Sequence, residues 1–337
     1  MRVLVTGGTG FVGSHTAAEL AREGCEVRLL VRDPAKAARV FLPHGVSLPD
    51  CVLGDVTDAP SVSRALLGCD AVVHAAALVA LESYRAAEAH RTNVEGAEVV
   101  LGEARRRGLS SIVYVSSSAA LFRAGGPPIG PDSEVADASS PYARSKATAE
   151  RLARALLEEG APVRISYPGG VVGPDDPGLS EMNHTLRVLV RDFVALTSGG
   201  VNVVDVRDLA RAHAALALGR GAPGRYVMAG PFLSWREVAD LLDAVTGRRV
   251  RRVPLPGALL RGAGRVGDVA KRFVSFDFPL SHEAMTFATR WAGADSTKTL
   301  ETLGLRFRDP AESLADALRW LVRAGHLSPD LAGRLAE

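Results

Sequence analysis

The sequence predicts an α/β protein: a doubly wound parallel sheet followed by a smaller, mixed α/β lobe. Three observations predict it. Short strand-like runs alternate with longer helical stretches through the first half. Those runs are apolar at consecutive positions, as strands covered by helices on both faces must be. A glycine-rich turn, Gly7-x-x-Gly10-x-x-Gly13, stands between the first strand and the first helix.

The predicted strands are Val3 to Val5, Val27 to Val31, Val52-Leu53, Ala71 to Val73, Ile112 to Val115 and Val163 to Ser166. The helical stretches between them are Ser14 to Glu23, Ser61 to Leu67, Asn93 to Arg107 and Tyr142 to Glu159. Beyond Pro168 the rhythm breaks into Gly169-Gly-Val-Val-Gly-Pro174-Asp-Asp-Pro177-Gly178, too rich in glycine and proline for regular structure. Val201 to Val206 and the helix after Asp208 read as a return to the sheet. Residues 1–168, with 200–220 returning to them, are thus expected to form the nucleotide-binding domain, and 169–199 and 221–337 the substrate lobe. Within the lobe, Ser234-Trp-Arg-Glu237 is a capping box opening a helix to Thr246, where Gly247 stops it. Asp309-Pro310 starts a last helix that ends by Gly325.

With 337 residues, 47% of them hydrophobic, the chain can bury a sizeable core. Its 40 Lys and Arg nearly balance its 38 Asp and Glu, so no broad field attracts nucleic acid, and a small-molecule partner is expected. Cys25, Cys51 and Cys69 have neither close pairing nor metal-ligand spacing, which fits reduced thiols and no metal site. Met1-Arg2 runs straight into the first strand, so no secretion signal is expected. The longest apolar stretch, Ala71 to Leu81, is about half of the roughly 20 residues a membrane span requires. A cytoplasmic protein is the expectation.

Thr6, Gly7, Gly10, Phe11, Val12 and Gly13 lie where a first strand turns into a first helix. Glycines there let the backbone turn sharply and approach a pyrophosphate, whose charge suits the free N–H groups of a helix amino terminus. A dinucleotide is the expected ligand. An acidic side chain ending the second strand would bind a ribose 2′-hydroxyl, but Val31 occupies that place and Arg32 follows, with a guanidinium suited to a 2′-phosphate. NADPH is therefore preferred, with Lys36 able to assist and NADH still possible. The competing reading pairs Arg32 with Asp33 in solvent and leaves the preference open. At the end of the third strand Asp55 could accept from the adenine amino group while Val56 packs beside the ring. His74-Ala75-Ala76-Ala77 ends the fourth strand with the small side chains that a close backbone approach needs, and His74 reads as a packed or hydrogen-bonded strand residue.

Tyr142 and Lys146 stand one helical turn apart in Ser140-Pro-Tyr-Ala-Arg-Ser-Lys146. A phenol is a poor acid near neutrality, and an ammonium nearby stabilises its conjugate base. The pair can act as a proton donor, and the same ammonium can hold a nicotinamide ribose.

Taken with Asn93-Val-Glu-Gly96, Val115-Ser-Ser-Ser118, Tyr167-Pro-Gly-Gly-Val171 and Val204-Asp-Val-Arg-Asp208, these motifs occur over almost the whole length in the order of the extended short-chain dehydrogenase/reductases, which the chain resembles. Val31-Arg-Asp-Pro34 and Pro168-Gly-Gly-Val-Val-Gly-Pro174 look most like the dihydroflavonol-reductase-like branch, including bacterial members linked to hopanoid genes. The resemblance implies a Rossmann domain, a catalytic set of Ser118, Tyr142 and Lys146, a supporting role for Asn93, and Pro168 and Val171 beside the nicotinamide. It also makes a homodimer reasonable. Ser118 is chosen among Ser116, Ser117 and Ser118 by register.

Two departures direct the chemistry. The family's sugar dehydratases carry an acid just after the catalytic Ser or Thr, where this chain has Ala119-Ala120-Leu121, and its sugar epimerases carry an acid where this chain has Val31. The expected activity is NADPH-dependent reduction of a ketone or aldehyde on an apolar molecule, or oxidation of the alcohol. The alternatives are an NAD-dependent nucleotide-sugar epimerase and a non-catalytic NADP-sensing regulator. Met182, Leu186, Val190, Phe193 and Val194 could line a pocket but more simply pack the lobe. Leu255 to Phe273 reads as a basic amphipathic helix that covers the pocket, with contact to a membrane surface as the lesser alternative.

Overall fold

The computed structural model describes residues 1–78, 86–137, 141–270 and 281–336. Ser140 of the tyrosine motif, residues 79–81 of the longest apolar stretch, and Lys271, Arg272 and Phe273 of the amphipathic segment lie outside them.

Seven parallel strands form the main sheet: β1 (Arg2–Thr6), β2 (Glu26–Val31), β3 (Asp50–Leu53), β4 (Ala71–His74), β5 (Ser111–Val115), β6 (Val163–Pro168) and, later in the chain, Gly224–Met228. Their spatial order places β3, β2 and β1 on one side of a switch point, then β4, β5, β6 and Gly224–Met228 on the other. The helices that alternate with them are α1 (Phe11–Arg22), α2 (Pro34–Phe41), α3 (Ala59–Ala65), α4 (Ala86–His90), α5 (Gly96–Arg106) and α6 (Pro141–Glu158). Both faces are covered, as the consecutive apolar runs require. On one face Val62, Val100, Leu101, Ala149 and Ala153 of α3, α5 and α6 pack on Leu4, Val72 and Ile112. On the other, Ala17 and Leu20 of α1 and Leu209 and Leu216 of a later helix pack on Val3, Val5, Leu29 and Val73.

The substrate lobe opens with β7 (Gly170–Val172), α7 (Glu181–Arg191), β8 (Val194–Leu196) and β9 (Gly200–Asp205). α8 (Val206–Ala217) then covers the main sheet, β10 (Gly224–Met228) joins its edge beside β6, and β11 (Phe232–Ser234) returns to the lobe. There follow α9 (Trp235–Thr246), β12 (Arg252–Pro254), α10 (Gly257–Ala270), α11 (His282–Arg290), α12 (Thr297–Leu303), α13 (Pro310–Arg323) and α14 (Pro329–Ala332). Ser234 and Glu237 form the expected capping box, and Gly247, at φ 71°, ends α9.

The return to the sheet differs from expectation. Gly200–Asp205 does not join the seven strands; it pairs with β7 and β11 in a separate three-stranded sheet. A Cβ at Gly200 would lie 2.2 Å from the Leu233 carbonyl oxygen, so the bare glycine is what lets β11 close on this strand. The sheet position is filled instead by β10, inside the segment expected to be substrate lobe. Leu186, Val190 and Val194 pack with Trp235, Val238, Leu242 and Leu318 in the lobe's own core, as the packing reading requires. α10 places Leu259, Val266 and Val269 in solvent, while Gly264 packs so closely on the start of α11 that a Cβ would lie 2.6 Å from the Ser281 carbonyl oxygen.

Candidate active site

The glycine turn follows β1 at the switch point, where the carboxyl ends of the strands open a crevice. Gly7 takes a left-handed conformation, φ 72°, and a Cβ there would lie 2.6 Å from the Ala76 nitrogen; one on Gly13 would lie 2.1 Å from the Gly7 carbonyl oxygen. α1 starts without a side-chain cap and without an acidic residue in its first turn, so its leading N–H groups face the crevice uncompensated. This cradle fits a pyrophosphate. Thr6 fixes the facing strand end: its hydroxyl bonds His74 Nδ1 at 2.7 Å and accepts from the Ala76 N–H at 3.3 Å. His74 is fully buried, and desolvation with the Lys146 charge lowers its pKa to about 3, so it is a neutral strut.

At the end of β2 Arg32 is exposed, and Asp33 is not its partner, because the Asp33 carboxylate accepts from the Ala35 and Lys36 N–H groups as the cap of α2. Among the described residues no hydrogen bond or ion pair holds Arg32. Its charge reaches Asp55 across the strand ends: burial raises the Asp55 pKa, but bonds from Thr57 and the charges of Arg32 and Arg91 outweigh it and leave it lowered. Val56 is buried against Gly96 of α5.

On the other side of the switch point α6 carries Tyr142 and Lys146. Lys146 is buried and its Nζ donates to the Val115 carbonyl oxygen at the end of β5, 3.1 Å away. Desolvation lowers its pKa to about 8 against an opposing pull from Glu150. The Tyr142 phenol is raised above its usual range, first by burial, then by the Glu181 carboxylate, with Glu283 adding; the Ser117 hydroxyl lowers it by hydrogen bonding. A phenol so held is protonated at neutral pH, the state a proton donor needs. The head of α6 is pinned to the loop after β4. Asn93, in a one-turn π-helix (Arg91–Glu95), exchanges two hydrogen bonds with Leu78 and donates to Ser145 Oγ, which donates to the Tyr142 carbonyl oxygen at 2.7 Å.

Of the three serines, Ser117 is the one whose hydroxyl acts on the Tyr142 phenol, one position before the expected Ser118. Ser117 Oγ accepts from the Ala119 N–H at 3.1 Å, leaving its own O–H to point elsewhere, whereas Ser118 is buried at the start of a 3₁₀ turn (Ser118–Ala120). Glu181, at the head of α7, and Glu283, on α11, were invisible to motif reading, because the fold of the lobe alone brings them to Tyr142. One turn from Glu283, Phe287 packs on Phe122 and Trp291 at ring distances of 4.3 and 4.6 Å, a half-buried aromatic cluster against the core. Pro168 and Val171 sit at the end of β6 and in β7, on the same strand-end side as the glycine turn.

The model of the NAD dependent epimerase/dehydratase family matches residues 3–229, from the glycine turn through β10. The chain belongs to that family. Its relatives include a dihydroflavonol 4-reductase-like protein of Synechocystis, 29% identical over 96% of this chain and 95% of that one, and sterol demethylase protein B of Methylococcus capsulatus, 28% identical over 96% and 99%. Among solved structures, gox2253 superposes with a TM-score of 0.80 at 28% identity, covering 97% of this chain and 99% of its own. The UDP-glucose 4-epimerase of Bifidobacterium longum, at 20% identity and TM-score 0.72 over 97% and 99%, shares the fold. This family member is thus an NAD(P)-dependent enzyme of the extended short-chain dehydrogenase/reductase kind. Among the described residues no helix is long and apolar enough to cross a membrane, and no cluster of side chains could hold a metal ion.

Proposed function

We propose that the enzyme reduces a ketone or aldehyde on an apolar small molecule at the expense of NADPH. The observation that carries this reading is the Tyr142 and Lys146 pair on one face of α6, with Lys146 buried and anchored to Val115 and the Ser117 hydroxyl acting on the protonated Tyr142 phenol. NADPH, when bound, supplies the hydride. The glycine turn and the head of α1 hold its pyrophosphate, Arg32 takes the 2′-phosphate that no other side chain claims, and Lys146 holds the nicotinamide ribose. Ser117 and Tyr142 grip the carbonyl oxygen, and Tyr142 gives it a proton as negative charge develops there. The partly exposed aromatic cluster of Phe122 and Phe287, one turn from Glu283, supports an apolar substrate. Two relatives point the same way in their names, tetraketide alpha-pyrone reductase 1 of Arabidopsis thaliana and 3-beta-hydroxysteroid dehydrogenase of Mycolicibacterium neoaurum, a reductase and a dehydrogenase.

The test compares NADPH oxidation by the wild type, Ser117→Ala and Ser118→Ala on a panel of aryl ketones and 3-ketosteroids. Ser117→Ala should lose roughly 100-fold in turnover, as removal of one oxyanion donor does, and Ser118→Ala should stay within a few-fold. Equal losses, or a loss confined to Ser118→Ala, would remove Ser117 from this role.

A further inference from the structure

The face of α6 that carries Tyr142 and Lys146 continues to Glu150, so three ionisable side chains stand in a row, one turn apart. Glu150 is fully buried. Its Oε1 accepts from the Tyr167 hydroxyl at 2.5 Å and from Arg154 Nε at 2.8 Å, while Oε2 has no partner among the described residues. Two neighbours share that condition. The Tyr114 hydroxyl lies near Ser116 yet makes no hydrogen bond of good geometry, and His74 Nε2 has no protein partner; both residues are at most 2% exposed. The Tyr114 ring lies 5.7 Å below Lys146 Nζ and stacks on His74 at 6.0 Å.

An ammonium has three protons to donate, and Lys146 spends one on Val115. A nicotinamide ribose would take a second. The third N–H, Glu150 Oε2 and the Tyr114 hydroxyl are then buried polar groups left without partners, and internal water is the usual means by which a folded protein satisfies such a set.

We propose that Glu150 is the counter-charge of Lys146, joined to it through a fixed internal water that the Tyr114 hydroxyl also binds. Glu150 is a positioning residue: it touches neither substrate nor cofactor, and it acts by keeping Lys146 an ammonium. Its consequence for turnover rests on the reductase reading of the Tyr142 and Lys146 pair. The ionisable groups that face Lys146 are Tyr142 and Glu150 from α6, Tyr114 from β5 and His74 from β4; those that face Glu150 are Lys146, Arg154, Tyr114 and Tyr167 of β6. Burial keeps His74 neutral and pushes Tyr114 and Tyr167 upward, so Glu150 supplies the negative charge in this set.

The chain has four lysines, Lys36, Lys146, Lys271 and Lys298, so labelling lysine with ¹³C at Cε gives four signals, and Lys146→Arg identifies the relevant one. In the cofactor-free wild type that signal should titrate at about 8. In Glu150→Gln, whose amide oxygen can still accept from Tyr167 and Arg154, its midpoint should fall by about one pH unit. Glu150→Asp should restore most of the shift, and Tyr114→Phe should give a smaller fall. An unmoved midpoint in a folded Glu150→Gln overturns the proposal. Should that variant not fold, Tyr114→Phe decides: a lowered midpoint supports the internal water, and an unmoved one overturns it. The titration uses no substrate, so it stands or falls apart from whether any carbonyl is reduced.

Discussion

The cofactor end and the substrate end of the cleft are built differently. At the cofactor end each functional group is fixed by partners on adjoining strand ends: Thr6 by His74, the turn at Gly7 by the backbone of Ala75 and Ala76, and Lys146 by Val115. At the substrate end the groups whose charge reaches Tyr142, Glu181 and Glu283, ride on α7 and α11, whose places depend on the packing of a second lobe. The difference teaches where each property is encoded. Chemistry resides in short motifs at the edge of a parallel sheet, and selectivity resides in contacts between elements remote in sequence.

The largest expected effect tests how the cofactor end is packed. His15, His74 and His213 are buried there, each with its pKa lowered chiefly by desolvation to about 3, against 6.5 for a free imidazole. The unfolded chain therefore takes up protons that the folded chain refuses, so stability is intact above about pH 6.5 and is lost as pH falls toward 3. Each histidine should contribute on the order of 1 kcal/mol per pH unit within that window. Urea unfolding at pH 7.5, 6.5 and 5.5 measures it, and a midpoint independent of pH would contradict the packing described here.

Next in size is Tyr142→Phe, which should lower turnover by about 10²- to 10⁴-fold while leaving NADPH affinity unchanged, since the phenol acts on the substrate alone. Single-turnover NADPH oxidation and calorimetry separate the two quantities. Arg32→Ala should weaken NADPH by about tenfold to a hundredfold, the worth of a lost charge-assisted hydrogen bond, and leave NADH unchanged. Equal losses for both cofactors would show that Arg32 does not read the 2′-phosphate. Glu181→Gln should have the smallest effect. Glu181 acts on Tyr142 only through its charge, second to burial in raising the phenol, so on the order of a threefold change in turnover at neutral pH is expected.

The same contrast explains what could be read from the sequence. The places of the glycine turn after β1, of Arg32 at the end of β2 and of Tyr142 and Lys146 on one helix were legible, because each is a local pattern whose geometry follows from one strand end or one helical turn. The choice between Ser117 and Ser118 was not legible, because three identical serines leave register as the sole guide, and only the 3₁₀ turn that starts at Ser118 gives the two different surroundings. β10 was missed because Gly224 to Met228 is a five-residue run whose partner, β6, lies far back in the chain. Glu181 and Glu283 carry no motif, and only burial sets Glu150 apart from the other polar residues of α6.

The central claim is that the Tyr142 and Lys146 pair serves net carbonyl reduction. The most direct measurement follows NADPH absorbance at 340 nm together with alcohol formed from apolar ketones by enzyme freed of bound nucleotide. The account predicts one alcohol for each NADPH oxidised, abolished in Tyr142→Phe. Tightly retained NAD, no net consumption of NADPH and interconversion of nucleotide sugars would contradict it.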